Sequence, residues 1–268
     1  MDVPTVSNDL PALGLGTYKN EGDQVTESVK TALDVGYRHI DTAQVYDNEA
    51  AVGAGIEASS APREEVVVAT KIWNDDLAGN DVVASAKESL DRLGLDRIEI
   101  LYVHWPAGGY EPSKTIPAFN QLYDEGLVDS IAVSNFLPEQ LETALDRSDA
   151  PIVANQVELH PLFQQSELQE FCETNGVAVV AYAPIARGKV FDVPELGEIA
   201  EKHGASEAQV SLAWLRQNGI AAIPKATSKE HIRANWESQD LTLDDEDLSK
   251  IATLSYNKRQ VDPDFAPW

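Results

Sequence analysis

The chain has 268 residues, 43% of them hydrophobic, with 45 acidic against 20 basic side chains and a formal charge of −25. That length can bury a sizeable core without disulfides or metals, and the apolar fraction excludes a disordered chain. The charge argues against nucleic acid and anionic membrane surfaces as partners, since both demand a basic face.

The acidic residues do not gather in one tail. They are spread over Glu64-Glu65, Asp75-Asp76, Asp91 through Glu99 and Asp244 through Asp247. This pattern reads as a solvated acidic shell suited to a salty, halophile-like interior, where counter-ions screen self-repulsion. The start Met1-Asp2-Val3-Pro4 carries no basic or apolar leader pattern, and no apolar run approaches the ~18 residues of a membrane span. Cys172 stands alone, so a buried, inert thiol and a reducing, cytoplasmic setting are expected.

In chain order, Val3 to Leu10 holds the turn cluster Ser7-Asn8-Asp9 between β-formers and predicts a small hairpin. Strands are predicted at Leu13–Thr17, His39–Thr42, Val66–Ile72, Ile98–His104, Ser130–Ser134, Ile152–Glu158, Val177–Ala183 and Ala221–Pro224. Most are rich in Val and Ile and lack polar alternation, as in parallel strands buried on both faces. Amphipathic stretches lie between them. Val25, Val29 and Leu33 precede the stop Gly36; Val82, Val83, Ala86, Leu90 and Leu93 precede Gly94; Phe119, Leu122 and Tyr123 precede Gly126. Leu141, Ala144 and Leu145 follow Pro138, which suits a first helical turn, and Leu168, Phe171 and Cys172 precede Gly176. Ser206 to Asn218 predicts an extra helix before the last strand, and Asp244 to Tyr256 a final one.

Eight strands alternating with helices over residues 1–268 predict one α/β domain: a (β/α)8 TIM barrel with an N-terminal β-hairpin and extra C-terminal helices. An open doubly wound sheet is the competing fold, and Gly53-Ala54-Gly55-Ile56-Glu57-Ala58 matches its G-x-G-x-x-A fingerprint. That match lies inside a helical stretch, Asn48 to Ser59, whereas the fingerprint opens a helix after a strand. Small residues at a helix–barrel contact explain it better.

Barrel chemistry sits at the carboxyl ends of strands. Those ends carry Asp41-Thr42 with Tyr46, Lys71, His104-Trp105, Ser134-Asn135-Phe136, Gln156 with Glu158, Tyr182 and Lys225. Lys71 is the most informative, because a lysine at the end of a Val-rich strand needs a counter-ion. Asp41 on the adjacent strand supplies it. An ammonium beside Tyr46 would lower its phenol from ~10 toward neutrality, making it a proton donor and acceptor. His104 is placed to hydrogen-bond a substrate oxygen. A metal-assisted hydrolase using His39, Asp41, His104 and His160 is a rival, weakened because Lys71 would repel the ion.

Taken together, these segments resemble the aldo-keto reductases, and in particular the short prokaryotic type. The resemblance rests on Gly36 through Ala43 with Tyr46, Asn48-Glu49 and Val52-Gly53; on Leu90 through Pro106; on Val133-Ser134-Asn135-Phe136; on Asn155 through Pro161; and on Ile223-Pro224-Lys225. It implies an oxidoreductase that reduces small aldehydes and ketones to alcohols, with Tyr46 as general acid, Lys71 and Asp41 tuning it and His104 orienting the carbonyl. It implies a nicotinamide cofactor held by Thr17, Ser134, Asn135 and Gln156, with Tyr182 stacked on the ring and the turn Ala183 to Gly188 along the pyrophosphate. Lys225, Ser228, His231 and Asn235 match positions near the 2′-phosphate and adenine. Two of the family's residues are replaced there, a serine by Ala226 and an arginine by His231. Lys225 still makes NADP(H) the preferred cofactor, the two replacements weaken its discrimination, and NAD(H) is possible. Tyr18, Trp73, Trp105 and Phe136 match aromatic positions around the substrate. The short segment Ser255 to Trp268 implies an open site. The family default is a monomer. A sensor subunit on the same fold, binding the nucleotide without useful turnover, is the alternative.

Overall fold

A computed structural model describes residues 3–254 and 256–268. Met1 and Asp2, on which the expectation of no leader pattern partly falls, and Ser255 at the head of the tail lie outside the described residues. Eight parallel strands run β1 (Leu15–Gly16), β2 (His39–Asp41), β3 (Val67–Ile72), β4 (Ile98–Val103), β5 (Val128–Ser134), β6 (Ile152–Glu158), β7 (Ala178–Tyr182) and β8 (Ala221–Ala222), each pairing with the next in sequence order. The seam between β8 and β1 is closed by single parallel bridges, Leu13 to Ala222 and Gly16 to Lys225. The main chain passes there as Gly14 N to Ala222 O at 2.8 Å and Gly16 N to Pro224 O at 3.1 Å. A Cβ on Gly16 would stand 2.7 Å from Ile223 O, so this approach requires glycine.

Helices follow the strands as expected of this topology: α1 (Asp23–Val35), α2 (Glu49–Glu57), α3 (Asn80–Leu93), α4 (Pro112–Asp124), α5 (Pro138–Leu145) and α6 (Ser166–Thr174). The connection from β7 to β8 carries α7 (Pro194–His203) and α8 (Glu207–Gln217); α9 (Lys229–Glu237) and α10 (Asp245–Ala252) follow β8. In α1, Val25, Val29, Ala32 and Leu33 form the buried stripe, and the Gly36 amide closes the end on Ala32 O and Leu33 O. The α8 start is a reciprocal cap between Ser206 and Gln209. Helix α7 lies outside the sequence expectations, although Pro194 at its first turn, Leu196, Ile199 and Ala200 on its buried face and Gly204 after its end carry the signal.

Three expectations are adjusted. The N-terminal hairpin reduces to one antiparallel bridge, Thr5 to Pro11, around a short turn at Ser7–Asp9. It still covers the barrel bottom, where Asn8 Nδ2 donates to Val153 O and Gly176 O. The final helix ends at Ala252 rather than Tyr256. Gly53 and Gly55 serve helix–helix contacts, not a helix–barrel one: added Cβ atoms would meet Leu93 C at 2.7 Å and Val29 Cβ at 2.7 Å.

The core has two layers. One lies between strands and helices. The other fills the barrel interior with Leu10 at the floor, small Ala69, Ala132 and Ala154, and Tyr102. The small side chains leave room for the long stem of Lys71, which is fully buried. Cys172 is also buried, and burial pushes its thiol up to about 11.

Candidate active site

The carboxyl ends of the strands open into a cavity of about 1000 Å³. Asp41 from β2, Tyr46 from the turn after it, His104 after β4, Ser134 at the end of β5 and Asn135 just after it, Gln156 from β6 and Tyr182 from β7 all line it. Tyr18, Trp73 and Trp105 add aromatic walls, and the cations Lys19, Arg187 and Lys225 stand at its exposed rim.

At its floor Lys71 Nζ donates to Asp41 Oδ1 at 2.6 Å and to Thr42 O at 2.7 Å. Gln156 Nε2 donates to the other carboxylate oxygen at 2.7 Å. Burial lowers the Lys71 ammonium pKa, and Asp41 opposes that shift. The Lys71 nitrogen lies 5.2 Å from the centre of the Tyr46 ring. The expected lowering of the Tyr46 phenol does not occur. Burial, with the Asp41 carboxylate and the phenols of Tyr18 and Tyr182, raises it well above its ordinary value. Burial is the largest cause, and Lys71, already paired with Asp41, does not offset it.

His104 stands edge-on to both Tyr46, with ring centres 5.8 Å apart, and Trp73, at 5.1 Å. Burial and then Lys71 push its pKa well below the usual histidine value, so the ring is neutral. Its Nδ1 is enclosed without a partner. Further round the wall, Asn135 Nδ2 donates to His104 O and to Ser134 Oγ, and Tyr182 OH donates to Asn135 Oδ1 at 2.8 Å. After β7 the chain takes a turn with left-handed φ at Ala183, Ala186 and Arg187, strain of a kind that gathers at ligand sites.

Not every expected site residue reaches the cavity. Thr17 is buried beneath it, with Oγ1 on Asp41 O at 3.0 Å. Phe136 is a correction: it is 1% exposed and packs on Tyr110, with ring centres 5.2 Å apart. The preceding Asn135 has φ 64°, and this left-handed residue turns the chain so that the next side chain leaves the mouth. Ser228 caps α9, accepting from His231 N at 3.1 Å; His231 is exposed and Asn235 buried, and none of the three lines the cavity. The residues proposed as metal ligands do not converge. Asp41 is taken by Lys71, both ring nitrogens of His39 are enclosed without partners, and His160 pairs with Glu158. Among the described residues no group of three or more His, Cys, Asp or Glu could hold an ion.

One wall lies beyond the sequence expectations. Residues Gln260 to Pro263 and Phe265 of the C-terminal tail line the cavity. Phe265 stands edge-on to Trp73 and Trp105, at 5.9 and 5.3 Å between ring centres, so the short tail covers the mouth rather than leaving it open. Its aromatic composition, Phe265 and Trp268, was the available signal. Among the described residues no helix is long and apolar enough to cross a membrane.

Comparison with known proteins is consistent with this geometry. Residues 12–255 match the model of the Aldo/keto reductase family. A 9,11-endoperoxide prostaglandin H2 reductase from Trypanosoma cruzi is 42% identical over 260 residues, covering 95% of this chain and 92% of that one. Methylglyoxal reductase DkgB from Escherichia coli O157:H7 is 41% identical over 258 residues, covering 95% and 97%. The crystal structure of MGS-M4, an aldo-keto reductase enzyme from a Medee basin deep-sea metagenome library, superposes with a TM-score of 0.93 at 36% identity, covering 98% of each chain.

Proposed function

The chain belongs to the aldo/keto reductase family, and from that premise we propose that it reduces small aldehydes and ketones to alcohols with NADP(H), accepting NAD(H) less well. The observation that carries this reading is the meeting of Tyr46, His104 and the Lys71–Asp41 pair in one aromatic-walled cavity. The E. coli relative is a methylglyoxal reductase, and small dicarbonyls are the first substrates to try.

The cavity fits a nicotinamide dinucleotide. Amide and hydroxyl groups of Ser134, Asn135 and Gln156 lie on one wall, the Tyr182 ring on another, and three cations at the rim of a chain poor in cations. Lys225 meets a phosphate as a point charge. When bound, the cofactor supplies the hydride that reaches the carbonyl carbon. Tyr46 OH gives its proton to the carbonyl oxygen. The neutral His104 ring donates a hydrogen bond to the same oxygen, and both stabilise the negative charge that grows there in the transition state. The raised phenol pKa keeps the proton on Tyr46 at neutral pH, as a general acid requires. Trp73 and Trp105 enclose the carbonyl's apolar substituent.

The test is NADPH and NADH oxidation by the purified protein across a panel of aldehydes, methylglyoxal included, in low and molar KCl. Absence of turnover throughout refutes the enzyme reading and leaves nucleotide sensing in its place. A higher kcat/KM with NADH refutes the cofactor preference.

A further inference from the structure

Glu158 is the last residue of β6 and is wholly buried, yet the chemistry described above does not use it. A buried carboxylate without donors is costly, and its donors here are specific. His160 Nε2 lies 2.9 Å from Oε1. The main-chain amides of Gln260 and Val261 donate to Oε1 at 2.5 Å and Oε2 at 2.8 Å, across more than a hundred residues of sequence.

We propose that Glu158 is a positioning residue that fastens the C-terminal tail over the cavity, and through it sets the aromatic wall facing the substrate. The tail has few other anchors. Among the described residues of 256–268, main-chain amides reach the barrel at three points: Lys258 on Leu162 O at 3.0 Å, and the two on Glu158. Directly beyond the clasp, Phe265 closes on Trp73 and Trp105. Trp268 packs on Trp105 and under the Arg259 guanidinium, and its Nε1 donates to Asp262 Oδ1 at 2.9 Å. A carboxylate can accept both amides at once through charge-assisted bonds. A glutamine offers one acceptor oxygen and turns an NH2 toward the other amide. The kinetic consequence rests on the reductase reading; the clasp itself does not.

The experiment measures amide hydrogen exchange in the full-length protein without ligand, followed by kinetics. In Glu158→Gln the Gln260 and Val261 amides should exchange about tenfold faster or more while the β6 amides keep their protection. Val261→Pro removes one donor from the tail side and leaves the buried carboxylate in place, so it reports even if Glu158→Gln does not fold; Gln260 exchange should again accelerate. With a loosened tail, KM for benzaldehyde should rise about fivefold while kcat changes less than about twofold, because the lost contact is to bound substrate and not to the reacting atoms. Unchanged exchange in both variants overturns the clasp. Faster exchange with unchanged KM, or with KM and kcat moving together, overturns the role in the substrate wall. If the parent protein turns over no carbonyl, the reductase reading falls while the exchange data still judge the clasp.

Discussion

Gln156 and Asp41 meet across the barrel, Nε2 to Oδ2 at 2.7 Å, so the carboxylate that neutralises Lys71 is held on its second oxygen by a neutral amide from β6. The ion pair is thereby fixed in place at the floor of the site. Asp41→Asn would leave a fully buried ammonium without a counter-ion, which typically costs about 3–5 kcal/mol. Urea denaturation at neutral pH should show a loss of that order; a loss under about 1 kcal/mol would mean that Lys71 is not held charged by Asp41.

On the proposed reading, Tyr46→Phe removes the one proton donor assigned to the carbonyl oxygen and no group assigned to the nucleotide. Turnover should fall by roughly a hundredfold or more, while NADPH titrated against tryptophan fluorescence should bind as before. Near-normal turnover would require another acid.

The raised phenol pKa sets the pH behaviour. Reduction as proposed needs Tyr46 protonated, and burial with Asp41 keeps it so well above neutrality. Its rate should therefore stay flat through neutral pH. Alcohol oxidation needs the phenolate and should climb steadily as pH rises above neutrality. A plateau in oxidation near pH ~7 would show instead that Lys71 lowers the phenol below its model-peptide value of ~10.

His39 links stability to acid. Burial first, and Lys71 after it, hold its pKa at about 4, with Asp41 opposing. Between the unfolded value of ~6.5 and that folded value the unfolded chain binds the extra proton, so this contribution is complete above ~6.5 and is lost as pH falls toward ~4. His104 is shifted in the same direction. Replacing His39 by Leu should make the stability lost between pH 7 and 4.5 smaller by about 2 kcal/mol. Equal losses in the two proteins, read from denaturant midpoints, would contradict this.

The charge of −25 implies self-repulsion over the whole surface. Ions shorten its range from about 10 Å at 0.1 M to about 3 Å at 1 M. The melting temperature should therefore rise with KCl up to molar concentration. A flat response would remove the argument for a salty interior.

Much of the fold is legible locally. The strand ranges agree with the structure to within a few residues because runs such as Val66–Ile72 and Val177–Ala183 begin with consecutive β-branched or aliphatic residues and lack polar alternation, as strands of a doubly covered parallel sheet do. Asp41, Lys71, His104 and Gln156 are legible because polar side chains at the ends of such runs must meet one another. The direction of Phe136 is not legible locally, because one left-handed residue, Asn135, decides it, and asparagine is found in many conformations.

By itself the sequence determined the alternation of strands and helices, the polar strand ends that build the site and the acidic shell, all of which follow from composition and short-range periodicity. The tertiary structure decided the rest. It placed the tail over the mouth through Glu158 and directed Phe136 away from it. It also raised the Tyr46 phenol, because that shift depends on desolvation and on charges contributed by several strands. The clasp and the phenol shift depend on contacts between residues far apart in the chain, and the direction of Phe136 on a backbone conformation that the identity of Asn135 does not fix, so no local pattern encodes them.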